Sequence, residues 1–341
     1  MTDTVLVPAP AATETARELV SGPLRTALDR LDPGTRHWAG YHLGLWDDSG
    51  APTAGGGKGV RSTLAVLSAQ AVGAAPGDAV PAAVACELVH NFSLLHDDVM
   101  DGDLQRRHRP TVWARHGVPA AILAGDALLA LANEVLAESP SPTAGWAVRC
   151  LNATTRRLVA GQAADLAFEQ RSDVTLDECL QMAGDKTGAL LGCAASLGAV
   201  LADGPAATAV GLARFGEHLG LAFQLVDDLL GIWGSTERTG KPVCSDLRAG
   251  KKSLPVVAAL TAGRPESELL AKLLADGRGV PEEQLTEAAG LVEAAGGRAW
   301  AEQAAAHHSR AALDLLDDLA LPAQVRRDLD DLTDELSRRD F

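Results

Sequence analysis

Apolar positions along this chain repeat with a helical period, and strand-like alternation is scarce. Apolar-periodic runs cover residues 14–31, 38–46, 62–72, 82–95, 119–138, 144–169 and 176–184, and a further run begins at Ala206. Residues 254–339 read as amphipathic helices broken at Gly263-Arg264-Pro265, from Gly277 to Pro281, at Gly296-Gly297 and at Leu321-Pro322. The run 82–95 carries neither Pro nor Gly and leads into Leu95-His96-Asp97-Asp98-Val99-Met100-Asp101. If the helix continues there, Asp97 and Asp101 sit at i and i+4 on one face, with Asp98 beside them. A second apolar run ends the same way, in Gln224-Leu225-Val226-Asp227-Asp228.

Composition adds limits rather than chemistry. The chain has 341 residues, 47% of them hydrophobic and one of them Tyr. That is enough to bury a large core, and the residue balance favours an all-α fold. Residues 1–13 are rich in Pro, Ala and Thr without a basic segment, so a short disordered tail is expected before one helical domain over 14–341. A net charge of −15 argues against nucleic acid or anionic membrane as the main partner. The five cysteines are scattered and lack C-x-x-C spacing, which fits a reduced, cytoplasmic protein. No uninterrupted apolar run is expected to reach membrane-spanning length, so no stable membrane insertion is expected.

The acidic clusters supply the candidate chemistry. Carboxylates held this close repel unless a cation lies between them, and an all-oxygen donor set favours a hard ion such as Mg²⁺. Arg106 and Arg107 follow the first cluster at once and suit a phosphate bidentately. His90 lies about two helical turns before Asp97 and points the same way. Upstream, Gly55-Gly56-Gly57-Lys58-Gly59-Val60-Arg61-Ser62 is not the nucleotide P-loop, because Gly59 follows the Gly-Lys pair. It reads as a glycine turn presenting Lys58 and Arg61 at a helix start, and equally as a linker with two exposed bases. Asp185-Lys186-Thr187-Gly188 interrupts another apolar helical pair, where glycine allows a bend. Two Mg²⁺-loading clusters ringed by cations and lined by Ala/Leu helices describe a site for a diphosphate on a greasy molecule.

In this order the motifs resemble those of the trans-isoprenyl diphosphate synthases, from about Gly55 to Pro255. Gly57-Lys58-x-x-Arg61, Asp97-Asp98-x-x-Asp101, Arg106-Arg107, Lys186-Thr187, Gln224-x-x-Asp227-Asp228, and Lys241 with Asp246 and Lys251 carry the resemblance. It implies an isoprenoid synthase-type helical bundle around a central active-site cavity, usually dimeric, using three Mg²⁺ ions. Asp97, Asp101 and Asp227 would hold Mg²⁺, with Asp98, Asp228 and Asp246 supporting them or ligating too. Arg106, Lys186 and Lys241 would grip an allylic diphosphate; Lys58, Arg61, His90 and Arg107 would grip isopentenyl diphosphate, and Lys251 belongs to the same diphosphate-binding set. Thr187 and Gln224 would face the developing carbocation. The reaction implied is ionisation of the allylic C–O bond, attack by the isopentenyl double bond and loss of a proton to the departing diphosphate.

Three positions depart from the family pattern. Gly231 stands where a third aspartate is common, Gly59 replaces a common arginine, and His108 a common glycine. A class I terpene cyclase is the first rival, but its Asn-Asp-x-x-Ser-x-x-x-Glu triad is not found. A non-catalytic partner subunit would be expected to have lost the aspartates retained here. Product length is expected to depend on Phe92 and Ser93, with Phe92 about 7.5 Å below Asp97 along the helix axis. One bulky residue at that depth resembles geranylgeranyl synthases, and farnesyl diphosphate is the nearest alternative product.

Overall fold

The computed structural model describes residues 11–53, 57, 59–235, 242–275 and 279–337. Lys58 and Lys241 lie outside the described residues, as do residues 1–10 of the expected tail. Residues 11–13, the end of that expected tail, are instead the first turn of α1 (Ala11–Leu28), where Thr13 and Ala16 are buried.

Contacts divide the chain into two compact units. The first comprises the described residues of Met1–Leu151, Ala194–Leu212 and Leu319–Leu332. It holds α1, α2 (Pro33–Leu43), α3 (Val60–Ala71), α4 (Val80–Met100), α5 (Val112–His116) and α6 (Val118–Ala137). Helix α2 begins five residues before the expected run 38–46: Asp32 accepts from the backbone N–H groups of Gly34 and Thr35, and Pro33 opens the first turn. It ends at Gly44, whose φ of 72° gives the left-handed cap. Helix α4 has buried residues nearly all round, from Ala82 through Leu95, as expected of an apolar helix that other elements cover. It packs against α3 and α6. Contrary to the sequence expectation, α6 is long and apolar enough to cross a membrane. Its Ala121, Ala124, Leu128 and Leu136 are nonetheless buried within the unit.

The Arg-pair segment is not helical. β1 (Gln105–Arg106) and β2 (Arg109–Pro110) pair antiparallel, with Arg106 opposite Arg109. The two-residue loop between them, Arg107 and His108, has φ of 51° and 60°. Positive φ at both loop positions matches the right-handed twist of the strands. Left-handed backbone disfavours any residue with a Cβ, which is why glycine is the natural occupant of position 108.

The second unit comprises the described residues of Asn152–Cys193, Ala213–Asp318 and Thr333–Phe341. It contains residues 152–169 of α7 (Ala144–Glu169), α8 (Leu176–Ala183) and 213–233 of α10 (Ala206–Trp233). A helix α9 (Ala189–Leu201) follows α8 after one π-helical turn, Gly184–Gly188. Then come α11 (Ser245–Ala249), α12 (Leu254–Thr261), α13 (Pro265–Leu273), α14 (Leu285–Ala294) and α15 (Gly297–Asp317), with α16 (Ala323–Ser337) closing the chain. One core cluster gathers Phe168, Cys179, Met182, Leu225, Leu229, Val257 and Ala301 behind the second acidic motif. Helix α8 starts in a capping box, Thr175 receiving the Glu178 N–H while Glu178 accepts from the Thr175 N–H at 2.9 Å.

Candidate active site

In the first unit, α4 runs through the acidic cluster, so Asp97 and Asp98 leave its last turn and Asp101 forms its C-cap. The three carboxylates are not equivalent. Asp97 and Asp101 are half-buried, while Asp98 is 1% exposed. Nε of Arg106 donates to Oδ1 of Asp98 at 2.6 Å. Oδ2 of Asp98 is shut from solvent and has no hydrogen-bond partner among the described residues. Burial pushes the Asp98 carboxyl up to about 6, although the Arg106 charge opposes the shift.

The hairpin carries its arginines to a cavity of about 270 Å³. Arg106, Arg107 and Arg109 line it together with Tyr41, His42, Gly44 and Thr53. Arg109 stacks over the Tyr41 ring, 4.2 Å from its centroid, and donates to the Trp46 carbonyl. Nε2 of His42 is buried without a hydrogen-bond partner among the described residues. Burial, and then the charges of Arg106, Arg107 and Arg109, bring His42 down to about 3. His90 is also held well below its ordinary range, first by burial and then by Arg61, Arg107 and Arg106. Arg61, Arg106 and Arg107 therefore all act electrostatically on His90. His42, Tyr41 and Arg109 line the same cavity as Arg106 and Arg107 without having been anticipated. Nothing in the sequence around His42 marks it, because only the packing of α2 brings it to the hairpin.

In the second unit, Lys186 and Thr187 lie within the π-helical turn, where the wider helix lets successive side chains diverge. Nζ of Lys186 meets Oδ2 of Asp165 at 2.6 Å. A Cβ built at Gly161 would stand 2.5 Å from the Lys186 backbone nitrogen, so glycine is what lets α7 approach this turn. Asp165 was missed, although Gly161-Gln162-x-x-Asp165 has the spacing of a single helix face. Gln162 is 6% exposed, and among the described residues neither its Nε2 nor its Oε1 has a hydrogen-bond partner.

A hydrogen-bonded ladder then runs through the second motif. Oγ1 of Thr187 donates to Oε1 of Gln224 at 2.6 Å, and Nε2 of Gln224 donates to Oδ1 of Asp228 at 2.7 Å. The Leu254 N–H donates to Oδ2 of Asp228 at 2.8 Å. Asp228 is thus buried and satisfied, whereas Asp227 is exposed. Burial, with Asp246 adding to it, raises Asp228 to about 8. Gly231, the departure from the family pattern, faces Asp246. A Cβ there would lie 2.5 Å from Cγ of Asp246 and 2.7 Å from its Oδ1, and Oδ2 would be closer still. The Asp246 carboxylate therefore occupies the space into which a third aspartate would have to extend. Lys251 lies half-buried after α11, and its N–H donates to the Asp246 carbonyl.

A polyprenyl synthetase family model matches residues 50–292. The chain is a member of that family. This polyprenyl synthetase is 49% identical over 321 residues to a (2E,6E)-farnesyl diphosphate synthase of Mycobacterium tuberculosis, covering 93% of this chain and 89% of that protein. It is 44% identical over 333 residues to a geranylgeranyl diphosphate synthase of the same organism, covering 97% and 94%. A polyprenyl synthetase structure from Streptomyces coelicolor A3(2) superposes with a TM-score of 0.91 at 52% identity, covering 96% of this chain and 99% of that one. A Corynebacterium glutamicum geranylgeranyl pyrophosphate synthase, complexed with isoprenyl diphosphate and magnesium, superposes with a TM-score of 0.82 at 25% identity, covering 98% and 100%. This polyprenyl synthetase is accordingly an all-helical prenyltransferase of the short-chain, chain-elongating kind, in a Mg²⁺-dependent family that joins isopentenyl diphosphate to an allylic diphosphate.

Proposed function

We propose that this prenyltransferase makes geranylgeranyl diphosphate. The observation that carries the site assignment is the Arg106–Asp98 contact, which ties the acidic end of α4 to the arginine-lined cavity. The residues present fit Mg²⁺: Asp97 and Asp101, and in the second unit Asp227 and Asp246, are oxygen donors, and Oδ2 of Asp98 has no hydrogen-bond partner among the described residues. Three ions per site are proposed. Mg²⁺, when bound, supplies the charge that stabilises a departing diphosphate.

The chain's own residues do the rest. Asp98 fixes the Arg106 guanidinium, and the family resemblance assigns Arg106, Lys186 and Lys241 to the allylic diphosphate. Arg61, Arg107 and His90, with Lys58, hold isopentenyl diphosphate, and Lys251 is a further substrate-binding residue by the same resemblance. A His90 kept neutral donates one hydrogen bond to a phosphate oxygen without adding a further charge among the arginines. The ladder through Thr187 and Gln224 orients two dipoles for the developing cation. Five free cysteines agree with a reduced, cytoplasmic enzyme, and the family resemblance supports a homodimer.

Phe92 sets the product length in this reading. It is 7% exposed, and its ring meets His96 edge-on, with centroids 5.0 Å apart. Ser93 beside it is buried, donates to the His90 carbonyl and leaves room that a second aromatic would fill. Farnesyl diphosphate is the second reading, favoured by the name of the 49% identical relative. Incubation with isopentenyl diphosphate, each allylic diphosphate in turn and Mg²⁺, with products resolved by mass, separates the two. Phe92→Ala should lengthen the product and Ser93→Phe should shorten it; an unchanged distribution in both would remove α4 as the floor.

A further inference from the structure

We propose that His37, Asp48 and His116 form a binding site for a zinc-class transition-metal ion, separate from the acidic clusters. His37 lies on α2, Asp48 in the loop that follows it, and His116 at the end of α5, all within the first unit. One ligand atom from each of the three lies within 4.8 Å of the others. Nε2 of His116 is 3.2 Å from Oδ1 of Asp48. Tetrahedral zinc with bonds of about 2.0–2.1 Å spaces its ligands about 3.3 Å apart, so this pair already has the required separation. The third ligand needs an adjustment of no more than about 1.5 Å, within reach of a side-chain torsion.

Three further observations favour a metal over a plain ion pair. Nε2 of His116 is shut from solvent, and despite its distance from Asp48 no acceptor is aligned with it among the described residues. Arg115 holds the opposite oxygen of Asp48, with Nη2 at 2.6 Å and Nε at 3.1 Å from Oδ2, leaving Oδ1 as a single oriented ligand. The loop itself is fixed, because Oδ1 of Asp47 accepts from the N–H groups of Ser49 and Ala51. The donor set, two imidazoles and one carboxylate, suits zinc or its neighbours and not Mg²⁺, which prefers oxygen alone. Tyr41 and Trp38 flank the His116 ring and give the site an apolar wall. The same elements carry Tyr41, His42, Gly44 and Val112 to the arginine-lined cavity, so the ion would clamp one wall of it.

The test loads the full-length protein with zinc chloride in excess Mg²⁺, removes free metal and measures bound zinc. The wild type should keep about one zinc per chain with histidine nitrogens in its X-ray absorption spectrum. A His37→Gln/His116→Gln variant should lose it, while an Asp97→Asn/Asp101→Asn variant should retain it. Equal zinc in the wild type and the histidine variant overturns the proposal, as does a wild type that keeps none. Should the histidine variant not fold, zinc must protect His37 and His116 of the wild type from diethylpyrocarbonate, read by peptide mass. Unchanged modification of both would also overturn the site.

Discussion

Replacing Gly231 by alanine should separate helix stability from metal affinity. The substitution puts a methyl group 2.5 Å from Cγ of Asp246, where carbon atoms in ordinary contact stand about 3.5 Å or more apart. The carboxylate must therefore retreat by about 1 Å. It stands on α11, a helix of five residues that can shift with it, and takes a long contact from Oγ of Ser245 at 3.3 Å. Alanine in the body of α10 contributes about 1 kcal/mol of helix propensity over glycine, so the melting temperature should hold or rise. Displacing a carboxylate that ligates or supports an ion costs about 10–100-fold in metal affinity. The assay is initial rate against Mg²⁺ concentration at saturating substrates, beside a melting curve. The half-saturating Mg²⁺ concentration should rise about tenfold or more. In an Asp246→Ala background the same substitution should change little, because the group it displaces is gone. An unchanged Mg²⁺ requirement in Gly231→Ala, or full additivity with Asp246→Ala, would refute the reasoning.

Further outcomes follow from other contacts. Asp97→Ala and Asp227→Ala should each lower turnover by about a hundredfold or more without unfolding the protein, and EDTA should abolish activity until Mg²⁺ is restored. Asp228 titrates near 8 in the folded chain, above its unfolded value, so its share of stability is complete below about pH 4 and is lost as pH rises through 8. Melting temperatures without divalent ions should show that decline in the wild type and a flatter profile in Asp228→Asn. His308 works in the opposite direction. Burial and the facing His218, whose Nδ1 is 2.9 Å away, bring it down to about 4, so stability is lost as pH falls from about 6.5 towards 4, and His308→Phe should blunt that loss. His108→Gly should stabilise the chain by about 0.5–1 kcal/mol in denaturant unfolding, since it relieves a left-handed backbone; a clear destabilisation would contradict the hairpin geometry.

Much of this fold is legible along the chain because its signals are local. The Pro/Gly breaks bound most helices within a few residues, and the uninterrupted run before Leu95 does carry α4 through the acidic cluster, whereas α2 starts five residues early, at the Asp32 cap, which the apolar run does not mark. What local signals cannot supply is the difference between neighbouring carboxylates. Asp97, Asp98, Asp227 and Asp228 are alike in sequence, and only tertiary packing buries the second of each pair. The hairpin was hidden for a related reason, since strands of two residues have no period to detect. His42 and Asp48 owe their surroundings to chain segments more than sixty residues away. The pairing of Gly231 with Asp246 likewise appears only when α11 returns to α10.

The π-helical turn at Gly184–Gly188 can be regarded as a phase slip in an otherwise continuous rod. A π turn inserts one residue into the helical count, so α8 and α9 are wound about 100° out of step with what an unbroken α-helix would give. Deleting one residue there would therefore lengthen the regular helix and improve its hydrogen bonding. It would also rotate everything on one side of the deletion, carrying Lys186 away from Asp165 or Thr187 away from Gln224. The edit that most improves this stretch by local rules is the one that would do most to disarm it, and a length-preserving substitution would not.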